Sequence, residues 1–310
     1  MFFSKFERLV ARRYLKAKRR EGFISVITGF AFTGIALGVA TLIIVMSVMN
    51  GFRHELLSRI LGINGHIGIM AVAGVPFNNY PEAVREIGTF EHVQTVIPMI
   101  ERQLLVSSGT TAEGAMVRGI AKEDLLKKKI LKDSLIHVDV DDFSGNNVIV
   151  GARLAQKMGL IPGDEITLIS PNGKVTAFGT VPRMKSYKII GTFEVGMYEY
   201  DSNFIFMPLA AAQTYFGMKG AVSNIDVTLD SDTHLREVRK AIEESVGAGA
   251  YIYDWKQTNS AFFNAIAVER NVMFIILTLI ILVAAFNIIT GLIMLVKDKG
   301  RDIAVLRTMG

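Results

Sequence analysis

A chain of 310 residues with 50% hydrophobic and only 20% charged residues, at a mean hydropathy of +0.36, carries less charge than the ~25% usual in a soluble domain. The apolar content excludes a disordered chain, and the zero cysteines exclude a disulfide scaffold, a Cys-ligated zinc site and a thiol nucleophile. The net charge of +5 and the pI near 9.3 raise nucleic-acid binding as a function, so the placement of the charge decides.

Residues 1–21 carry eight Lys/Arg against two Glu, and residues 297–310 carry four against two Asp. The segment 53–270 carries 22 basic and 25 acidic residues and is mildly acidic. The basicity flanks two uncharged runs, 22–52 and 271–296, each longer than the ~18 residues that mark a membrane span. Lys/Arg next to a span marks its cytoplasmic side. Both termini are therefore expected inside and 53–270 outside, and nucleic acid drops out as a partner. The cluster Arg12, Arg13, Lys16, Lys18, Arg19 and Arg20 suits anionic lipid headgroups. The first run is too long for the apolar region of a signal peptide, and no small-residue cleavage site follows it. Phe52, Leu56, Leu57 and Ile60 extend its helical pattern, which predicts a stalk rising into the outer domain.

In the outer segment, strands are predicted at 66–72, 93–107, 116–120, 147–150, 165–169, 187–193, 203–207, 224–229 and 250–254. Helices are predicted at 80–87, 122–129, 152–158, 209–216 and 233–246, the last with Leu235, Val238, Ile242 and Val246 on one face. Pro162-Gly163-Asp164 and Pro171-Asn172-Gly173 are turn signals. The sum is a compact α+β domain held between two transmembrane α-helices.

No catalytic constellation stands out. The five histidines, at 54, 66, 92, 137 and 234, lack metal-helix spacing, and no H-E-x-x-H or G-x-S-x-G occurs. Gly173-Lys174 fails as a Walker A, because Leu168 stands where its first Gly belongs and Val175 follows the Lys. Asp139, Asp141 and Asp142 lack the Gly and distal Glu of an EF-hand and read as a solvated acidic loop. The expectation is no catalytic residue, no metal site and no cofactor bound by this chain. Within the spans, Gly34 and Gly38 form a G-x-x-x-G that allows close helix approach. Asn287 and Thr290 are expected to hydrogen-bond between helices.

Several long runs resemble one family. They are Ala11-Arg12-Arg13-Tyr14-Leu15, Lys18-Arg19-Arg20-Glu21-Gly22-Phe23-Ile24-Ser25, and the stretch from Leu37-Gly38-Val39-Ala40 through Ser47-Val48-Met49-Asn50-Gly51-Phe52. Arg59-Ile60-Leu61-Gly62, Gly65-His66 and the closing run Val296-Lys297-Asp298-Lys299-Gly300-Arg301-Asp302-Ile303-Ala304-Val305-Leu306-Arg307-Thr308-Met309-Gly310 continue it. The chain resembles the permease subunit of the lipoprotein-releasing ABC transporter, the LolC/LolE family, over its whole length.

The resemblance implies an ABC permease of macrolide-exporter-like architecture in the bacterial inner membrane, with a periplasmic porter-like domain and an insert at about 122–219. It implies a non-catalytic subunit that pairs with a second permease, identical or paralogous. ATP and Mg would be bound by a separate cytoplasmic ATPase. The complex would release lipoproteins to a periplasmic chaperone. The run from Pro171 to Pro182 is similar to the hook that captures the chaperone, with Pro171 and Pro182 stiffening its base and Phe178 and Val181 offering apolar contact. Arg301, Ile303, Val305, Leu306 and Met309 would form the amphipathic segment that couples to the ATPase. Met46, Met49 and Phe52 would meet the lipid chains of the substrate. The family has four membrane helices, so the sequence resembles a truncated member lacking the third and fourth. A cell-division-type permease that regulates cell-wall hydrolases is the alternative.

Overall fold

A computed structural model describes residues 9, 22–71, 76–109, 111–176, 179–258 and 260–308. They form two compact units, one of Met1–Phe52 with Ala261–Gly310, the other of Arg53–Ser260.

The first unit is helical. Helix α1 runs Gly22–Ile63, its last residues belonging to the second unit, and a long helix, α10, runs Ser260–Thr308. The stretches Phe32–Ile63 and Val268–Met294 are long and apolar enough to cross a membrane, and almost none of either is buried within the molecule. A core helix of a soluble protein would be buried, so this exposure is what lipid-facing helices require. At Gly38 a Cβ would lie 3.8 Å from Ile280, so this glycine faces α10, whereas Gly34 has nothing within 4 Å. The Thr290 hydroxyl donates to Phe286 O at 2.9 Å in the turn before it, which satisfies the group inside its own helix.

The second unit is a ten-stranded sheet with short helices against it. The strands are β1 Ile67–Ala71, β2 Val93–Ser107, β3 Ala112–Ile120, β4 Leu135–Ile136, β5 Asn147–Gly151, β6 Glu165–Thr176, β7 Gly179–Phe193, β8 Phe204–Pro208, β9 Asn224–Leu229 and β10 Ala250–Asp254. The helices are α2 Tyr80–Ile87, α3 Lys122–Lys127, α4 Lys129–Asp133, α5 Ala152–Met158, α6 Tyr198–Asn203, α7 Leu209–Phe216, α8 Leu235–Val246 and α9 Trp255–Thr258. Pairing runs β2–β3–β8–β5–β7–β6 and returns to β2 through Leu105↔Ile169, so these strands close a ring. Closure removes the free edges that an open sheet would expose. The other half of β2 pairs with β9, β9 with β1, and β1 with β10, so β2 belongs to both the ring and a four-stranded wing. The expected insert, 122–219, joins the same sheet through β3–β8 and β2–β6.

Several elements differ from expectation: β3 starts at Ala112 rather than at 116, and the short β4 and α6 have no predicted counterpart. The predicted helix 122–129 is broken at Lys128, whose backbone is extended (φ −79°, ψ 91°), so that α3 and α4 are separate. The predicted strands 165–169 and 187–193 are longer, because the run between them continues the ladder as Lys174↔Val181, Val175↔Thr180 and Thr176↔Gly179.

Candidate functional site

A helix leaves its last carbonyls without intrahelical partners, and its C-terminus carries partial negative charge. The C-terminal end of α1 resolves both problems with two buried cations. Ile63 O accepts from Arg118 Nη1 at 3.1 Å and from Lys128 Nζ at 2.9 Å. Arg118 stands on β3, in a stretch buried on both faces. Lys128 reaches Ile63 from the break between α3 and α4, which explains that break.

Each cation is in turn neutralised. Arg118 Nε donates to Glu101 Oε2 at 2.9 Å and Arg118 Nη2 to Asn64 Oδ1 at 2.9 Å. Lys128 Nζ donates to Asp226 Oδ2 at 3.2 Å, and the same oxygen accepts from Gly65 N at 3.1 Å. Asn64 Nδ2 donates to Tyr200 Oη at 2.5 Å. The chain leaves the helix through Gly65, where a Cβ would lie 2.6 Å from Val227 O, so only glycine permits this approach to β9. His66 N then donates to Val227 O at 2.8 Å, and β1 begins. One turn earlier Arg59 is held by Glu55 at 2.7 Å and donates to Val195 O.

Burial opposes the charge of Arg118, but Glu101 and Asp226 outweigh it and its pKa is raised. For Lys128 burial dominates over the attraction of Asp226, and Arg118 repels it, so its pKa is lowered. Burial also raises the phenol pKa of Tyr253, to about 12. Arg118, Glu101, Asp226 and Tyr253 line a cleft of about 530 Å³ together with Phe204 and Trp255. Arg118 and Lys128 spend their donors on the helix end and on the carboxylates, so the arrangement holds a helix rather than catalysing a reaction.

The sequence-predicted residues lie elsewhere. Pro171, Val181 and Pro182 are on the β6–β7 hairpin, and all three are exposed. Between Ser170↔Arg183 and Lys174↔Val181, three residues of β6 face Pro182 alone. Pro182 has no N–H to donate, so the ladder must bulge there. Beyond the bulge, among the described residues, Lys174, Val175 and Thr176 pair with Val181, Thr180 and Gly179 of β7. Phe178 lies outside the described residues. Arg301, Ile303, Val305 and Leu306 belong to α10, and Met309 lies outside the described residues. Met46, Met49 and Phe52 stand three residues apart on α1, Met46 and Phe52 exposed and Met49 half-buried. The clamp residues Arg118, Lys128, Glu101, Asp226 and Asn64 escaped the sequence reading. The available signal was a lone charge inside an apolar strand, as in Met116-Val117-Arg118-Gly119-Ile120 and Ile225-Asp226-Val227.

The profile of the MacB-like periplasmic core domain matches residues 28–245. With the apolar helices Phe32–Ile63 and Val268–Met294, this defines the class as a transporter permease carrying a MacB-like periplasmic core domain. The chain is 33% identical over 307 residues to the lipoprotein-releasing system transmembrane protein LolC of Neisseria meningitidis serogroup B, covering 98% of this chain and 74% of that protein. It is 26% identical over 306 residues to LolE of Haemophilus influenzae, covering 97% and 73%. The periplasmic region of MacB from Actinobacillus actinomycetemcomitans aligns with a TM-score of 0.41 at 12% identity, over 66% of this chain and 96% of that one. The chain belongs to the LolC/LolE family of lipoprotein-releasing system transmembrane proteins, as a non-catalytic membrane permease.

Proposed function

We propose that this chain is the inner-membrane subunit through which ATP hydrolysis on a separate cytoplasmic ATPase drives release of lipoproteins to a periplasmic chaperone. The observation that carries the reading is the clamp on α1. The helix is one element of 42 residues, about 63 Å at 1.5 Å per residue, against a ~30 Å hydrocarbon core. Its last carbonyl is gripped by two buried cations that are themselves tied to β2, β3 and β9. A helix end fixed this firmly cannot shift without carrying the sheet along. In this reading both termini are cytoplasmic and 53–270 is periplasmic, with 22–52 and 271–296 as the spans. ATP and Mg belong to the partner ATPase, and this chain binds no cofactor. The segment containing Arg301, Ile303, Val305, Leu306 and Met309 receives the ATPase's motion. A second permease, identical or paralogous, completes the membrane part. Met46, Met49 and Phe52 offer flexible apolar contact to acyl chains. The hairpin carrying Pro171, Phe178, Val181 and Pro182 is the chaperone's docking point, supported by the exposed Val181 and by the continuation of the β6–β7 ladder past the part of β6 paired with β2.

A photo-crosslinker at Phe178 in cells tests this. The expected adduct is a lipoprotein chaperone. Capture of a cell-wall hydrolase in its place would overturn the reading in favour of a cell-division-type permease.

A further inference from the structure

The turn before β2 and the turn after β9 meet at a cluster that the clamp does not use. His92 and His234, far apart in sequence, stack face to face with ring centroids 3.4 Å apart and planes 11° from parallel. Both direct Nδ1 at one carboxylate. His92 Nδ1 lies 2.9 Å from Asp230 Oδ2, and His234 Nδ1 lies 3.0 Å from Asp230 Oδ1. The three donors lie within 4.8 Å of one another.

The backbone holds this arrangement. Asp230 N donates to His92 O at 3.1 Å, which ties the two turns together. His92 has φ +69°, the left-handed region that a non-glycine residue adopts only when its surroundings demand it. Ser231 accepts from Thr233 N and caps the short turn Asp232–His234, which places His234 one helical turn beyond Asp230. The surroundings are negative: Glu91 lies 3.9 Å from His92 Nε2, and Glu237 acts on the same ring.

We infer that His92, Asp230 and His234 form a binding site for a divalent transition-metal ion of the zinc type. Two imidazoles and one carboxylate are a donor set that zinc accepts readily, with the remaining position left to water. In tetrahedral zinc, bonds of about 2.0–2.1 Å place neighbouring ligand atoms about 3.4 Å apart. Each Nδ1 lies 2.9 or 3.0 Å from its own oxygen of the Asp230 carboxylate, so an ion held by both rings requires the stack to open and the rings to tilt until both in-plane Nδ1 lone pairs point at it. As a ligand each ring would bind through Nδ1 in its neutral form, with the proton on Nε2. The bound ion would staple the α2–β2 turn to the β9–α8 turn across the wing of the sheet.

The detergent-purified chain tests the site with zinc chloride and cobalt chloride. Unfolding is followed by the fluorescence of Trp255, the single tryptophan, which is buried in the same unit. Zinc at about a hundred times its Kd is expected to raise the unfolding temperature by about 5–10 °C. Cobalt is expected to give the visible d–d absorption of imidazole coordination. H92A/H234A and D230N should abolish both effects, whereas H54A/H137A should keep both. A wild-type chain with no zinc shift and no cobalt band overturns the site, whether or not the variants fold. An undiminished zinc shift in H92A/H234A or in D230N overturns it equally.

Discussion

Asp226→Asn isolates the electrostatic part of the clamp, because asparagine keeps the shape and an acceptor for Gly65 N while removing the charge that faces Lys128. Lys128 is only 6% exposed and has Arg118 as a repelling neighbour. Without Asp226 its ammonium has two options, to remain charged in a dry site or to release its proton. The second sets a ceiling. From an ordinary lysine value of about 10.4, neutralisation at pH 7 costs about 4.5 kcal/mol at 1.36 kcal/mol per unit. That agrees with the 3–5 kcal/mol expected when one partner of a buried ion pair is removed. The sign follows from linkage. The variant's folded state binds fewer protons at Lys128 than its unfolded state, so its stability rises with pH up to the unfolded lysine value. At pH 9 the ceiling falls to about 2 kcal/mol. Denaturant unfolding of wild type and variant at both pH values, read at Trp255, measures the difference. A penalty below about 1 kcal/mol at pH 7, or one that does not shrink at pH 9, refutes the view of Asp226 as the counter-charge that keeps Lys128 on the helix end.

His66 Nδ1 accepts from Leu229 N at 3.1 Å, and burial lowers its pKa despite the attraction of Asp232. The unfolded chain therefore takes up a proton first as pH falls below about 6.5, and stability declines by at most about 1.4 kcal/mol per pH unit until the folded value is reached. His66→Asn keeps an acceptor near the Nδ1 position, so its unfolding midpoint should lose this acid limb relative to wild type between pH 7.5 and 5.5. At the other end of the chain, Leu306→Asp should release the ATPase from the purified complex. Retention of full ATPase on a pull-down would count against the coupling role of this segment.

Much of the secondary structure was legible locally. The predicted strand 93–107 and the predicted helices 80–87, 152–158 and 209–216 coincide with β2, α2, α5 and α7. Each has an apolar period or a flanking glycine or proline that the neighbouring residues alone supply. Helix α6, Tyr198–Asn203, was not legible, because Tyr-Glu-Tyr-Asp-Ser-Asn has no apolar period and its helix rests on contacts with α5. Lys128 read as one more helical lysine, and only Ile63 and Asp226, from 65 and 98 residues away, explain the break there. The histidines lacked metal spacing in sequence, yet His92 meets Asp230 across 138 residues.

Composition, the basic flanks and two uncharged runs were enough to establish the membrane helices and the α+β character of the segment between them. Burial of apolar side chains and the siting of cations beside lipid are averages over many residues, and a linear pattern records such averages. The closing of six strands into a ring, the clamp on the last carbonyl of α1 and the His–Asp–His cluster were decided by tertiary structure alone. Each depends on a few polar atoms from distant segments arriving within about 3 Å of one another, a distance at which hydrogen bonds form. Sequence spacing carries no information about which distant segments meet.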